Sequence, residues 1–179
     1  VRKTYQLEIC GLKRELPIIA ISPGVSIASF VILGDTELVC AVAPEIVKRL
    51  PPIDVIISAE AKGIPLVHEV SRLLNMNYIV ARKSVKAYMD GAVIEEVVSE
   101  DSYSTEVLCL NGADVEKIRN KRVAIIDDII RTGASMDAIE RLVIQIGGQI
   151  VAKAAVLAQG DNISENEYIF LGKLPIFES

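Results

Sequence analysis

Histidine occurs once in this chain of 179 residues, cysteine three times, and aromatic residues make up only 4%. Each shortage removes a class of function. Cys10, Cys40 and Cys109 are odd in number and have no metal-ligand spacing, which speaks against both a zinc site and a disulfide framework. A reducing cytoplasmic setting with three structural thiols is expected instead. No apolar run approaches the ~20 residues of a membrane span. Val1-Arg2-Lys3-Thr4-Tyr5 does not open a secretory signal, so no membrane partner is expected. A net charge of −5 argues against binding that depends on neutralising a nucleic-acid backbone. The single His68 shares a helical stretch with the apolar stripe Val67, Val70 and Leu74. It is expected to face solvent or a neighbouring subunit rather than do chemistry.

What is present is a globular composition, 51% hydrophobic and 24% charged, without repeats or low-complexity tracts. The length suits a single domain with a substantial core. From about residue 37 helical and strand patterns alternate. Leu38, Val42, Ile46 and Leu50 read as a helix before Pro51-Pro52, and Asp54 to Ser58 as a short buried strand. A helix from Leu66 to Leu74 leads to a strand at Tyr78 to Ala81. Val107 to Leu110, Val123 to Ile126 and Ile150 to Leu157 read as further strands. A helix bearing Ile139, Leu142, Val143 and Ile146 stops at Gly147-Gly148. This alternation predicts an α/β fold with a doubly wound parallel sheet over residues 36–160.

Residues 122 to 135 carry the strongest signal. A continuous apolar run, Val123 to Ile126, enters the adjacent carboxylates Asp127 and Asp128, and the turn Arg131-Thr132-Gly133-Ala134-Ser135 then opens a helix. Open parallel sheets bind ligands beyond the carboxyl ends of their strands. The turn offers backbone N–H groups, two hydroxyls and a helix N-terminus to an anion. Carboxylates repel phosphate, so Asp127 and Asp128 suit hydroxyls of the same ligand or a divalent cation. A sugar phosphate satisfies both halves. The segment is neither a Walker A loop, which needs Gly-Lys-Ser/Thr, nor a dinucleotide fingerprint, which needs three spaced glycines.

This segment resembles the signature of the type I phosphoribosyltransferases, and further motifs extend the resemblance to the adenine phosphoribosyltransferases. Ser58-Ala59-Glu60-Ala61-Lys62-Gly63 leaves one strand for a helix, as the family's pyrophosphate loop does. The resemblance implies a non-proline cis peptide at Glu60-Ala61 and pyrophosphate binding by Glu60, Ala61, Lys62 and Gly63. Arg82-Lys83-Ser84-Val85-Lys86 matches a family cluster. Arg82, Lys83 and Lys86 are thereby assigned to the pyrophosphate, with Arg82 stabilising the leaving charge. Ser22-Pro23-Gly24-Val25 resembles the base-holding segment, implying base contacts from the backbones of Val25 and Ile27. The family's stacking Phe is replaced by Ile27 and its following Arg by Ala28. Ala134 stands where the family usually has Gly, a change that a helical backbone would accept.

The resemblance implies the type I phosphoribosyltransferase fold, one domain over 1–179, with a small N-terminal hood over about 1–35. Tyr168 to Leu171 is expected to join that hood. It also implies transfer of phosphoribosyl from phosphoribosyl pyrophosphate to a purine, adenine first, with Mg2+ on the substrate and a homodimer as the working form. Arg82, Asp127 and Asp128 would be catalytic, and Arg131, Thr132, Gly133, Ala134 and Ser135 would hold the 5′-phosphate. A nucleotide-binding regulator and an enzyme for xanthine, hypoxanthine or guanine remain open. So do two readings of residues 89–106. One is a loop that closes during turnover, in which Glu106 falls out of the family's register; the other is a β-ribbon with Val93, Ile94, Val97 and Val98 packed and the acids outward.

Overall fold

The structure, a computed structural model, describes residues 3–97 and 106–178. It begins with β1 (Thr4–Ile9) and β2 (Leu12–Ser22), joined by the two-residue turn Cys10-Gly11, both with positive φ as a tight hairpin demands. β3 (Val25–Ala28) pairs antiparallel with β2. Then follow α1 (Thr36–Val47), β4 (Val55–Ala59), α2 (Ile64–Leu74) and β5 (Tyr78–Ala81). β6 (Val93–Val97), β7 (Glu106–Leu110) and α3 (Gly112–Ile118) precede β8 (Arg122–Ile130) and α4 (Ala134–Ile146). β9 (Gln149–Gln159), β10 (Gly172–Leu174) and β11 (Ile176–Glu178) end the chain.

The core is a five-stranded parallel sheet in the order β10-β9-β8-β4-β5. Its central strands are apolar at nearly every position because both faces are covered. Ile56, Ala124 and Ile126 point into a core shared with α1 and α2. Their neighbours Val55, Ile57, Val123 and Ile125 point into a second core shared with α3 and α4. Asp35 caps α1 by accepting the Leu38 N–H at 3.1 Å, and Gly147 ends α4 in the left-handed conformation.

A four-stranded sheet, β1-β2-β3-β11, forms the hood. Its first three strands fall within the expected hood of residues 1–35; its fourth comes from residues 176–178, Ile176 pairing with Ile27. The segment Tyr168 to Leu171 does not belong there. It runs along the outer edge of β9, where Ile169 bridges Ala154, and leads into β10. Backbone hydrogen bonds from Ile169 and Leu171 to β9, together with the buried Tyr168, hold it there.

β8 is longer than the expected strand. It continues through the acidic pair to Ile130 because the 11-residue β9 pairs alongside it as far as Ala158. Pairing with β4 on the other side ends at Ile125. The sheet therefore parts just before Asp127, and the carboxylates border the resulting cleft.

Residues 93–97 and 106–110 form an antiparallel ribbon, with Arg141 of α4 donating to Glu95 at 2.6 Å. Strand alternation turns Val93, Glu95 and Val97 inward, so Glu95 is not outward and Ile94, 50% exposed, is not packed. Val98 and the centre of the expected closing loop lie outside the described residues.

Candidate active site

The ends of β4, β5 and β8 converge on one edge of the sheet and deliver three kinds of group, two from β8 and one from β4 and β5 together. The first is the acidic pair on β8. Asp127 turns back on its own backbone and accepts the Asp128 N–H at 2.8 Å. Asp128 is 2% exposed, and its Oδ2 accepts no hydrogen bond from any described residue. A buried carboxylate oxygen without a donor is costly, so this atom is an acceptor suited to a ligand hydroxyl or a cation. Burial pushes the Asp127 carboxyl well above the usual carboxylate range, and the neighbouring Asp128 charge adds to it. Burial also raises Asp128, while Lys62 pulls both carboxyls back toward the ionised form.

The second group is the turn after β8. Gly133 has φ +83, a conformation that strains other residues, and Ala134 is already the first residue of α4. Its methyl group is therefore accepted. The amides at the start of a helix have no partners four residues back. A recess of about 110 Å³ is lined by Arg131, Thr132, Gly133, Ala134 and Ser135 together with Asp127. Thr132 Oγ1 accepts the Ala134 N–H at 3.4 Å, which folds the hydroxyl into the turn.

The third is cationic. A cleft of about 640 Å³ adjoins the recess, sharing Asp127, Ile129 and Ser135 with it. Its walls include Glu60, Ala61 and Lys62 from the end of β4, Lys83 and Lys86 from beyond β5, and Asp128. The Glu60–Ala61 peptide bond is cis. Glu60 Oε2 accepts the Lys83 N–H at 3.0 Å and Arg82 Nε at 3.1 Å. Those two contacts, the backbone one foremost, hold the Glu60 carboxyl below its ordinary range. Arg82 also donates to Tyr88 Oη at 3.2 Å, and Lys86 Nζ to Ser84 Oγ at 2.6 Å. Lys83 Nζ lies 3.6 Å from Glu106.

Of the residues expected at the phosphate, sugar and pyrophosphate, all but Gly63 and Arg82 line one of the two spaces; Gly63 packs against Asp127 and Arg82 pairs with Glu60. Val25 and Ile27 are half-buried on β3 and are not among the residues lining either space; the hood-side residue in the cleft wall is Leu33. His68 is exposed, as expected, with its ring 6.0 Å from and edge-on to Tyr78. Two features were beyond reach in the sequence. Gly63 packs directly on Asp127, and Tyr168, distant in sequence, touches the Gly133 turn.

The donor set bears on a metal ion. Among the described residues no group of three or more His, Cys, Asp or Glu side chains could hold one. Asp127 and Asp128 alone fit a magnesium ion that keeps most of its bonds to water and substrate oxygens.

A parallel sheet with a carboxylate pair, an anion-binding turn and a cationic loop along one carboxyl edge defines a class, the α/β proteins that hold a phosphorylated sugar at the ends of their strands. The particular family follows from comparison. The model of the phosphoribosyl transferase domain matches residues 51–172. A hypoxanthine/guanine phosphoribosyltransferase of Methanococcus vannielii is 33% identical over 168 residues, covering 90% of this chain and 84% of that one. That of Methanococcus voltae is 34% identical over 140 residues, 78% of this chain and 71% of its own length. The chain belongs to the phosphoribosyltransferase family and has the type I fold. The crystal structure of adenine phosphoribosyltransferase from Thermoanaerobacter pseudethanolicus superposes with a TM-score of 0.67 at 20% identity, covering 95% of both chains. The enzyme from Trypanosoma brucei in complex with AMP, pyrophosphate and ribose-5-phosphate gives 0.66 at 22% identity, covering 79% of this chain and 67% of that one.

Proposed function

We propose that this protein transfers the phosphoribosyl group of phosphoribosyl pyrophosphate to a ring nitrogen of a purine and releases pyrophosphate. The observation that carries the reading is the unpartnered, buried Asp128 Oδ2 beside the anion-binding turn. It calls for a ligand with a hydroxyl or bound cation close to a phosphate. In this reading the Arg131 to Ser135 turn holds the 5′-phosphate, and Asp127 and Asp128 accept from the ribose 2′ and 3′ hydroxyls. Glu60, Ala61, Lys62 and Gly63 shape the seat of the pyrophosphate, and Arg82, Lys83 and Lys86 supply its positive charge. No side-chain nucleophile is required. The chain contributes position and preorganised charge as the bond from carbon 1 to the pyrophosphate oxygen breaks and the bond to nitrogen forms. Magnesium carried in on the substrate would neutralise charge on the pyrophosphate, and Asp127 and Asp128 are the carboxylates that would hold it.

A 6-oxopurine, hypoxanthine or guanine, is the acceptor supported by the relatives above 30% identity. Adenine is the second reading, favoured by the Ser22-Pro23-Gly24-Val25 segment of the hood. The test is nucleotide formation from phosphoribosyl pyrophosphate and magnesium against a panel of nucleobases. Turnover with hypoxanthine or guanine is expected, and turnover with adenine alone would reverse the order. Tight donor binding without turnover on any base would replace the enzyme by a nucleotide-binding regulator. Asp127→Asn combined with Asp128→Asn should abolish turnover; wild-type rates in that variant would end the assignment.

A further inference from the structure

Beneath the phosphate turn, on the side away from the cleft, lies a charged cluster that the reaction does not use. Lys153 on β9 keeps only 10% of its side chain exposed, yet its Nζ reaches Glu140 Oε2 at 2.5 Å, Asp137 Oδ1 at 3.2 Å and Glu167 Oε1 at 3.4 Å. It also lies 5.4 Å from the centre of the Tyr168 ring. The cluster meets the turn in two places. A Cβ on Gly133 would stand 2.8 Å from the Tyr168 hydroxyl and 3.8 Å from Asp137 Oδ2. Asp137 is itself in the first turn of α4, its N–H donated to the Gly133 carbonyl at 2.9 Å.

This arrangement sets two demands against each other. Carboxylates near a helix N-terminus stabilise the helix, but they oppose a phosphate bound at the same end. Asp137, in that first turn, therefore favours α4 and disfavours its anion, and Glu140, one turn further on, adds negative charge beside it unless a cation offsets the two. Lys153 is the cation placed between them, from a different element and largely out of water, where screening is weak. Burial works against its charge, and Glu140 and Asp137 outweigh burial, so the ammonium stays protonated.

We infer that Lys153 is a positioning residue for the phosphate turn: it offsets part of the negative charge that Asp137, Glu140 and Glu167 place near the start of α4 and, through Tyr168, backs Gly133, so that the turn accepts a sugar phosphate. The inference rests on the reading of Arg131 to Ser135 as the 5′-phosphate seat.

The test is calorimetric titration with ribose 5-phosphate, which carries the phosphate but no pyrophosphate, alongside KM and kcat for phosphoribosyl pyrophosphate. Lys153→Met should weaken ribose 5-phosphate about 5- to 30-fold and raise KM in step while kcat changes less, the size expected for a charge acting at a partly buried helix end. Adding Asp137→Asn and Glu140→Gln to Lys153→Met should return the affinity to within about twofold of wild type or better, since of the opposing carboxylates only Glu167 then remains. A lysine that served folding alone would shift the melting temperature without this pattern. Wild-type affinity in the single variant overturns the inference, as does a folded triple variant that binds as weakly as the single one. If the wild-type protein neither binds ribose 5-phosphate nor turns over, the reading of the turn falls and this inference with it. If it binds ribose 5-phosphate without turnover, the transfer reaction falls alone.

Discussion

Gly63 and Asp127 are in direct contact across the cleft: a Cβ on Gly63 would stand 2.6 Å from Asp127 Oδ1. The cationic loop after β4 and the acidic pair on β8 are therefore one packed unit. Gly63 has φ −71 and ψ −15, ordinary helical values that alanine adopts without strain, so contact alone requires glycine there. We predict that Gly63→Ala costs about 1–3 kcal/mol of stability, the range for overfilling a packed site. It should also displace the Asp127 carboxylate and reduce kcat more than a distant substitution of equal destabilisation. Urea unfolding paired with turnover measurements checks both; full activity with unchanged stability would show that the two segments are not coupled.

Arg82, which is not itself among the residues lining the cleft, is held beside its wall by Glu60, which also takes the Lys83 N–H. A guanidinium fixed at the mouth of the pyrophosphate seat by a neighbouring carboxylate needs little reorganisation when charge develops on a leaving group. Arg82→Ala is expected to lower kcat about 10²-fold, as removal of a preorganised donor does elsewhere. Glu60→Gln keeps the shape but weakens the hold on Arg82, and should give a smaller loss. Steady-state kinetics on both variants decides the order, and an Arg82→Ala enzyme with unchanged kcat would remove Arg82 from the chemistry.

The raised pKa values of Asp127 and Asp128 make stability depend on pH in a particular direction. Between their ordinary value of 3.8 and their raised values, the folded protein binds more protons than the unfolded chain. Stability from this source is full below the ordinary value and is lost as pH rises through the raised ones. Asp54, paired with Arg122, and Glu60 have lowered values, so their contributions are lost only as pH falls into the acid range. From about pH 5 to 8 the acidic pair should dominate. Melting temperature is expected to fall across that window in the ligand-free protein, and to fall less in Asp127→Asn with Asp128→Asn. Equal slopes in the two proteins would contradict the burial of the pair.

The core sheet was legible because its strands are short apolar runs bounded by helices, and two-sided burial requires that pattern. Tyr78 to Ala81 matches β5 residue for residue, and the acidic segment lies, as expected, at a strand end that opens a helix. The end of β8 was not legible. Asp127 and Asp128 look like the close of a strand, and only the pairing with β9 carries the strand to Ile130. The ribbon shows the same limit, since alternation specifies two faces but not which one meets α4; contact with Arg141 turned Glu95 inward and left Ile94 exposed.

Local chemistry, then, was written in the chain: which residues are suited to an anion, which can accept from hydroxyls and which carry positive charge follow from side-chain type and position at a strand end. Tertiary structure decided which distant residues support them. The contacts of Gly63 with Asp127 and of Tyr168 with Gly133 join segments far apart in sequence. The placement of Lys153 among carboxylates of α4 and the Tyr168 segment does the same. Such pairings arise from how layers pack, and packing depends on all the surfaces that meet, which no single stretch of sequence contains.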